Sequence, residues 1–336
     1  MLASGKADLI NIGRQLIADP DWVNKVAAAQ EDDVIPCIAC NRCIDEISLD
    51  RPIICSVNPL AGRETTIRVE PSATPRRVMV IGGGVAGLQA ALTATECGHR
   101  VSLYERTQTL GGQALLAGQV PRYYEIHKIS HYLAKKVHDA GIEVHMGIRV
   151  DADLVKRERP DAVVLAAGAV SEIPGKLSGV NLPHVADVFK VLSGTVDAGR
   201  RVAVIGGGIN GACVAEYLSV RGHTVTMIKS SVPISAKAGI LVRKEHTLSL
   251  NELGVRILTG ATVKRILPGE VVISQFGDER LVPADTVVLA MGMLPVNELK
   301  EPLETLGIPV FTVGDANDPR EVLEAIHEGF KAAMQI

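Results

Sequence analysis

The sequence predicts an α/β protein with two three-layer domains of one lineage, placed behind a cysteine-rich loop and a short β/α unit. Three observations carry this. A glycine-rich strand–turn–helix pattern is written twice. Four of the six cysteines fall between Cys37 and Cys55. Hydrophobic residues make up 47% and charged residues 22% of 336 positions, a globular composition in a chain long enough for about two domains.

The repeat is explicit. RVMVIGGGVAG occupies 77–87 and RVAVIGGGING occupies 201–211. Each continues into an apolar helical run, then into GHRVSLYE at 98–105 or GHTVTMIK at 222–229. Strand, glycine turn, helix and strand in that order make a β-turn-α-β unit. DAVVLA at 161–166 and DTVVLA at 285–290 add a further strand to each copy. A spacing this long excludes a solenoid and fits two related domains.

Along the chain, residues 7–12 predict a short buried strand ended by Gly13 and Arg14. Asp19 and Pro20 then open a helix from about Asp21 to Ala29. Residues 31–60 form the cysteine loop, with little regular structure expected. Residues 61–75 read as a polar linker holding Pro71 and Pro75. The first domain spans 76–195 and returns at 296–336. The second, 196–295, is inserted into it. Within that insertion, residues 270–284 predict a hairpin or meander around Gly277. A strand at 310–314 and a helix from about Arg320 to Gln335 close the chain.

Composition excludes several classes of function. The net charge of −3 gives no reason to expect nucleic acid or an anionic membrane as partner. The most apolar window, 78–92, is broken by glycines and is no membrane span. The start lacks a signal-peptide pattern. Clustered cysteines without such a signal predict ligation in a reducing, cytoplasmic setting. Hydrolase motifs such as G-x-S-x-G and H-E-x-x-H are absent.

Three motifs carry chemistry. The first is Gly82-x-Gly84-x-x-Gly87 with Glu105 closing the next strand. The glycines permit a tight turn, backbone approach to a pyrophosphate, and close helix–strand packing. A carboxylate at Glu105 suits an adenosine ribose. Leu110-Gly111-Gly112-Gln113 and Gly314-Asp315 add approaches for a second nucleotide half, which favours FAD at this site. Asp315 alternatively caps a helix. The second motif is Gly206-x-Gly208-x-x-Gly211, followed at the matching strand end by Lys229, with Ser230 and Ser231 next. A lysine there suits a 2′-phosphate and favours NADPH; a solvated lysine would leave NADH.

The third motif is Cys37-x2-Cys40-x2-Cys43-x11-Cys55. Three thiols in one turn and a fourth further on suit a [4Fe–4S] cluster better than the paired ligands of zinc, with plain thiols as the remaining alternative. Cys97 and Cys213 read as packing residues. Tyr123, Tyr124, His127 and His131 read as surface or interdomain residues.

Taken together, these residues resemble the 2,4-dienoyl-CoA reductase and trimethylamine dehydrogenase branch of the Old Yellow Enzyme family. The pieces that carry the resemblance are DLINIGRQLIADP, CIACNRCID with ICSVNP, VIGGGVAGL, LGGQ and VGDANDPREVLEAIHEG. The resemblance implies two Rossmann-like domains of the disulfide-reductase type, for FAD and NAD(P). It implies that Gly82, Gly84, Gly87, Glu105, Gln113, Val150, Gly314 and Asp315 contact FAD. It implies that Cys37, Cys40, Cys43 and Cys55 hold the cluster, and that Arg14 matches an FMN-phosphate arginine. Members carry an FMN-binding TIM barrel ahead of the cysteine loop. Only its last β/α unit, about residues 1–30, has a counterpart here. FMN and the family's catalytic Tyr and His would therefore come from a missing N-terminal half or a partner chain.

The expected activity is electron relay from NAD(P)H through FAD and the cluster to a barrel-borne FMN that reduces an enoyl or dienoyl C=C bond. Hydride transfer between nicotinamide and flavin needs no side-chain acid or base, so no catalytic residue is assigned. The alternatives are an electron-transfer subunit resembling the glutamate synthase small subunit, which would need more cysteines ahead of Gly82, and an inactive fragment.

Overall fold

The computed structural model describes Met1–Ile336. Short helices come first: α1 (Arg14–Ala18), α2 (Trp22–Ala27) and α3 (Arg42–Ser48). The strand expected at 7–12 is absent. Leu9 is 89% exposed and Ile10 53%. A strand needs a neighbour for its N–H and C=O groups, and no strand lies beside this segment. Arg14 consequently begins a helix instead of ending a strand. The cysteine loop, expected to be irregular, contains α3.

The first unit follows with β1 (Arg77–Ile81), α4 (Val85–Glu96), β2 (Arg100–Glu105), α5 (Gln113–Ala117), α6 (Ile126–Asp139), β3 (Glu143–Met146), α7 (Ala152–Glu158), β4 (Ala162–Leu165) and β5 (Ala169–Ser171). The second unit holds β6 (Val185–Asp187), α8 (Val188–Leu192), β7 (Arg201–Ile205), α9 (Ile209–Val220), β8 (Thr224–Ile228), α10 (Ile240–Glu252) and β9 (Arg256–Leu258). It continues with β10 (Ala261–Leu267), β11 (Glu270–Gln275), β12 (Asp278–Pro283) and β13 (Thr286–Leu289). The chain returns through β14 (Met293–Pro295), α11 (Lys300–Thr305), β15 (Val310–Thr312) and α12 (Val322–Ala333).

Two parallel five-stranded sheets result, β15-β4-β1-β2-β3 and β6-β13-β7-β8-β9. Apolar strands such as Val78–Ile81 and Val202–Ile205 are buried, as parallel strands covered on both faces must be. Each unit is Rossmann-like. The segment around Gly277 is a meander, β10-β11-β12, and β5 pairs with β14 where the chain crosses between units. β6 belongs to the second sheet, which therefore begins at Val185, ahead of the expected boundary at 196. The repeat extends to side chains. The Arg77 N–H donates to Asp161 at 2.8 Å, and the Arg201 N–H donates to Asp285 at 2.9 Å.

The first core lies between the sheet, α4 and α12. Leu88, Leu103 and Ile326 are fully buried in it, and Ala18, Ile38 and Val57 bring the N-terminal segments against it. α12 and α4 approach closely because Gly329 has no side chain. A Cβ there would lie 2.2 Å from the Ala86 carbonyl oxygen.

The units are joined by the link between α5 and α6. Val120 is fully buried in the second core, although it belongs to the first unit's chain. Arg122 pairs with Glu216 of α9 at 3.2 Å and Glu245 of α10 at 2.8 Å. The Tyr123 hydroxyl meets His246 Nε2 at 2.7 Å, and Ser235 Oγ meets His246 Nδ1 at 2.7 Å. Tyr123 is thus interdomain, while Tyr124 and His131 face solvent. Burial, reinforced by the Arg122 charge, lowers the His246 imidazole to about 4.

Two predictions follow from this packing. Gly329→Ala should lower stability by about 1–3 kcal/mol through overpacking, read as a lower urea midpoint; an unchanged midpoint would show that α12 can shift freely. His246 stays neutral in the fold while its unfolded form takes up a proton below its ordinary value of 6.5. Stability should therefore fall as pH drops from 6.5 towards 4, with about 3 kcal/mol lost to this one group at the end of that window. Urea unfolding at pH 7 and pH 4.5 should show a smaller pH-dependent loss in His246→Gln than in the wild type.

Candidate functional site

The first site forms at the carboxyl ends of β1 and β4, where ligands bind open α/β sheets. Gly82 has φ +113°, and a Cβ there would lie 2.2 Å from the Ala166 carbonyl oxygen. Only glycine fits this crossing. A Cβ at Gly87 would lie 1.9 Å from the Gly82 carbonyl oxygen, so the turn and α4 touch through backbone. Gly84 faces open space, with the N-terminus of α4 directly behind it. That arrangement presents N–H groups to an anion.

A cavity of about 350 Å³ opens beside the turn. Gly82, Glu105 and Val150 line it, together with Tyr104, Arg106 and Arg149. Glu105 is buried and already engaged. Its carboxylate accepts from the Gly83 N–H at 2.7 Å and from the Thr107 N–H and hydroxyl, each at 2.8 Å. Those bonds orient its two oxygens and leave about one of the carboxylate's four acceptor sites free.

The second half of this site is built by Gly112, Gln113, Gly314 and Asp315. The Gly111 N–H donates to the Gly83 carbonyl at 2.7 Å, and a Cβ at Gly112 would lie 3.0 Å from Gly84 Cα. Burial raises the Asp315 carboxyl, against the opposing Arg320 N–H and the Gln113 side chain. Asp315 does not cap the last helix. Glu321 does, in a reciprocal capping box with Glu324. Asp315 stands free of that task, in a short turn at Gly314–Ala316 beside Gln113.

The second site repeats the first. A Cβ at Gly206 would lie 2.1 Å from the Ala290 carbonyl oxygen, and one at Gly211 would lie 2.1 Å from the Gly206 carbonyl oxygen. Gly208 faces open space at the start of α9. Lys229 takes the place that Glu105 holds in the first copy. Its stem covers Gly207, where a Cβ would lie 2.4 Å from Lys229 Cδ. Ser230 and Ser231 are exposed next to it.

The four cysteines meet. Cys37, Cys40, Cys43 and Cys55 line one cavity, closed by Arg14 and Asn41. Ala39 and Asn41 both have positive φ, which folds the three-cysteine turn tightly enough to aim its thiols at one space. The Cys37 N–H donates to Gln15 at 3.0 Å, and His327 Nε2 donates to the Cys55 carbonyl at 2.8 Å. Burial pushes the Cys55 thiol up to about 11, opposed by the N–H groups of Val57 and Asn58 facing its sulfur. The side chains as placed form no group of three or more His, Cys, Asp or Glu that could hold a metal ion.

Arg14 lies at this cavity, its guanidinium donating to the Asn41 side chain. It is thus turned to the cysteine turn. Sequence reasoning missed Arg106, Arg149 and Tyr104 at the first cavity. Arg106 adjoins Glu105 and was readable. Arg149 arrives with the turn after β3, and only the sheet order places it there.

Relatives fit this geometry. The chain is 36% identical to an NADH oxidase of Thermoanaerobacter brockii over 345 residues, covering 100% of the chain and 53% of that protein. It is 36% identical to a bilirubin reductase of Mediterraneibacter gnavus, covering 99% of the chain and 52% of that protein. Its fold superposes on 2-naphthoyl-CoA reductase, solved with 2-naphthoyl-CoA, at a TM-score of 0.96 and 30% identity, covering 100% of this chain and 51% of that one. The chain thus spans about half the length of these relatives and aligns with their C-terminal half; their TIM barrel has no counterpart in it. The profile of pyridine nucleotide-disulphide oxidoreductases matches residues 76–319, both Rossmann-like units up to the last helix. By that match and by its paired dinucleotide folds, this chain belongs to the pyridine nucleotide-disulphide oxidoreductase family.

Proposed function

We propose that this chain is the electron-delivering part of an NAD(P)H-dependent flavin oxidoreductase. The observation that carries the reading is the convergence of Cys37, Cys40, Cys43 and Cys55 on one cavity packed against the first dinucleotide unit. When bound, FAD accepts a hydride from the nicotinamide and a [4Fe–4S] cluster carries single electrons onward.

The chain's own residues hold and orient. Gly82 makes the tight turn, Gly87 lets α4 pack against it, and Gly84 opens the N-terminus of α4 to the FAD pyrophosphate. Glu105 receives the ribose hydroxyls, and Val150 lies against the adenine. Gly112, Gln113, Gly314 and Asp315 receive the flavin half. Gly206, Gly208 and Gly211 do the same for the nicotinamide nucleotide, and Lys229 meets its 2′-phosphate. Oriented donors on rigid elements exclude water and fix the reacting atoms, which is the protein's share of such chemistry.

The acceptor is an FMN-bearing barrel, supplied by a longer chain or by a partner. Support comes from the exposed apolar side chains of Leu2, Leu9, Ile10 and Val23, which lie together in sequence ahead of the cysteine cavity. An enoyl, dienoyl or aromatic acyl thioester is the substrate class, in keeping with the acyl-CoA bound to the structural relative.

Anaerobic purification with a visible spectrum and acid release of flavin tests this directly. The expected content is about one FAD and about four irons per chain, bleached by NADPH. A colourless chain, or one whose flavin ignores both NADPH and NADH, would sink the reading. Lys229→Ala should weaken NADPH binding by about tenfold and leave NADH binding unchanged, as loss of one charge-assisted contact requires. Equal losses for both nucleotides would take the 2′-phosphate away from Lys229.

A further inference from the structure

The two copies of the glycine turn share one more bond. In the first, the Gly83 carbonyl accepts the Gly111 N–H at 2.7 Å. In the second, the Gly207 carbonyl accepts the Ser235 N–H at 2.7 Å. The repeat spacing makes Ser235 the counterpart of Gly111. Both residues have positive φ, +116° at Gly111 and +49° at Ser235. Glycine takes that conformation freely, whereas serine adopts it at a cost. The second copy has therefore kept a strained side chain where the first has none. An outlier of this kind asks for a role.

The Ser235 hydroxyl supplies one. It is fully buried and bonds His246 Nδ1 at 2.7 Å, and His246 Nε2 meets the Tyr123 hydroxyl at 2.7 Å. Tyr123 belongs to the link between α5 and α6, in the first unit. The helix α5 that leads into this link starts after Gly112, which lies against Gly84 of the first turn. Its middle, Val120, is buried in the second core. Its end, Arg122, grips α9 and α10 through Glu216 and Glu245. One short segment thus touches the first phosphate turn at one end and, through two side chains, props the second phosphate turn at the other.

We propose that Tyr123, His246 and Ser235 are positioning residues: a hydrogen-bonded strut by which the first unit sets the Gly206–Gly211 phosphate turn of the second. The proposal rests on the reading of that turn as the nicotinamide-nucleotide site. The imidazole suits the part because, neutral, it offers one N–H and one lone pair, and a hydroxyl on each side can accept or donate to match. Its burial among protein atoms excludes water, which would otherwise compete for both bonds.

Two substitutions each break one link of the strut; the Tyr123 hydroxyl also faces the Cys213 thiol of α9, a contact that Ser235→Gly leaves untouched. Tyr123→Phe keeps the ring in the second core and removes only the hydroxyl. Ser235→Gly keeps the backbone bond to Gly207, since the first copy carries glycine there, and relieves the positive φ. Amide hydrogen exchange on the purified full chain, free of nucleotide, should quicken at 206–211 and 234–238 by about fivefold in each variant. Calorimetric titration with NADP⁺ and NAD⁺ should show Kd rising by about fivefold. The double variant should be little worse than either single one, because a broken strut cannot be broken twice. Flavin content should not change.

Unchanged exchange at these residues in both variants, or fully additive effects in the double variant, would overturn the strut. If the wild-type chain binds neither NADP⁺ nor NAD⁺, the nicotinamide reading fails by itself, and the exchange measurement still decides whether the strut holds the turn.

Discussion

At two places in this molecule a helix begins so close to a strand that a carbonyl oxygen occupies the space where a side chain would start. The Gly82 oxygen fills that space at Gly87, and the Gly206 oxygen fills it at Gly211. The same turns press against the end of a second strand, at Ala166 and at Ala290. These contacts fix where α4 and α9 point. They aim each helix N-terminus at an open face beside Gly84 or Gly208, where a phosphate group is best received. Sheet order, cavity position and the lie of α12 all build outward from that approach.

The second constraint is the segment from Gly112 to Tyr123. Two Rossmann-like units joined by a few crossing strands would turn freely against one another. Here the α5–α6 link buries Val120 in its neighbour's core and adds ion pairs and a buried Tyr–His–Ser chain. The α3 segment makes a second tie: Asp45 sits buried at the start of α10, where Gly239 has no room for a Cβ. Cysteine cavity, first site and second site are therefore held in one arrangement. Such a joint is what the proposed relay would require, because electron transfer between sites depends on distance.

Much of the fold was legible because its rules are local. Strand, glycine turn and helix follow from a few adjacent residues, and the copy at 201–211 confirms the reading of 77–87. The meander around Gly277 and the strands at 161–166 and 285–290 were equally readable. The segment at 7–12 misled for the converse reason. Leu9 and Ile10 have strand character, but a strand is completed by a partner, and none is present. β6 lies ahead of the expected boundary at 196 because it joins the second sheet by pairing with β13 and not by any feature of its own sequence.

By itself, then, the sequence determined the two dinucleotide folds, the residue types at their turns, and the grouping of four cysteines within one short stretch. These depend on backbone sterics and short spacings, which neighbours in the chain dictate. Tertiary structure alone decided that Cys55 joins the other three in one cavity, that Arg149 lines the same cavity as Glu105, and that Glu321, not Asp315, caps α12. It alone brought Tyr123 to His246, more than a hundred positions away. Contacts at such separation arise only when whole units dock, and docking is set by the summed shape of two cores rather than by any motif.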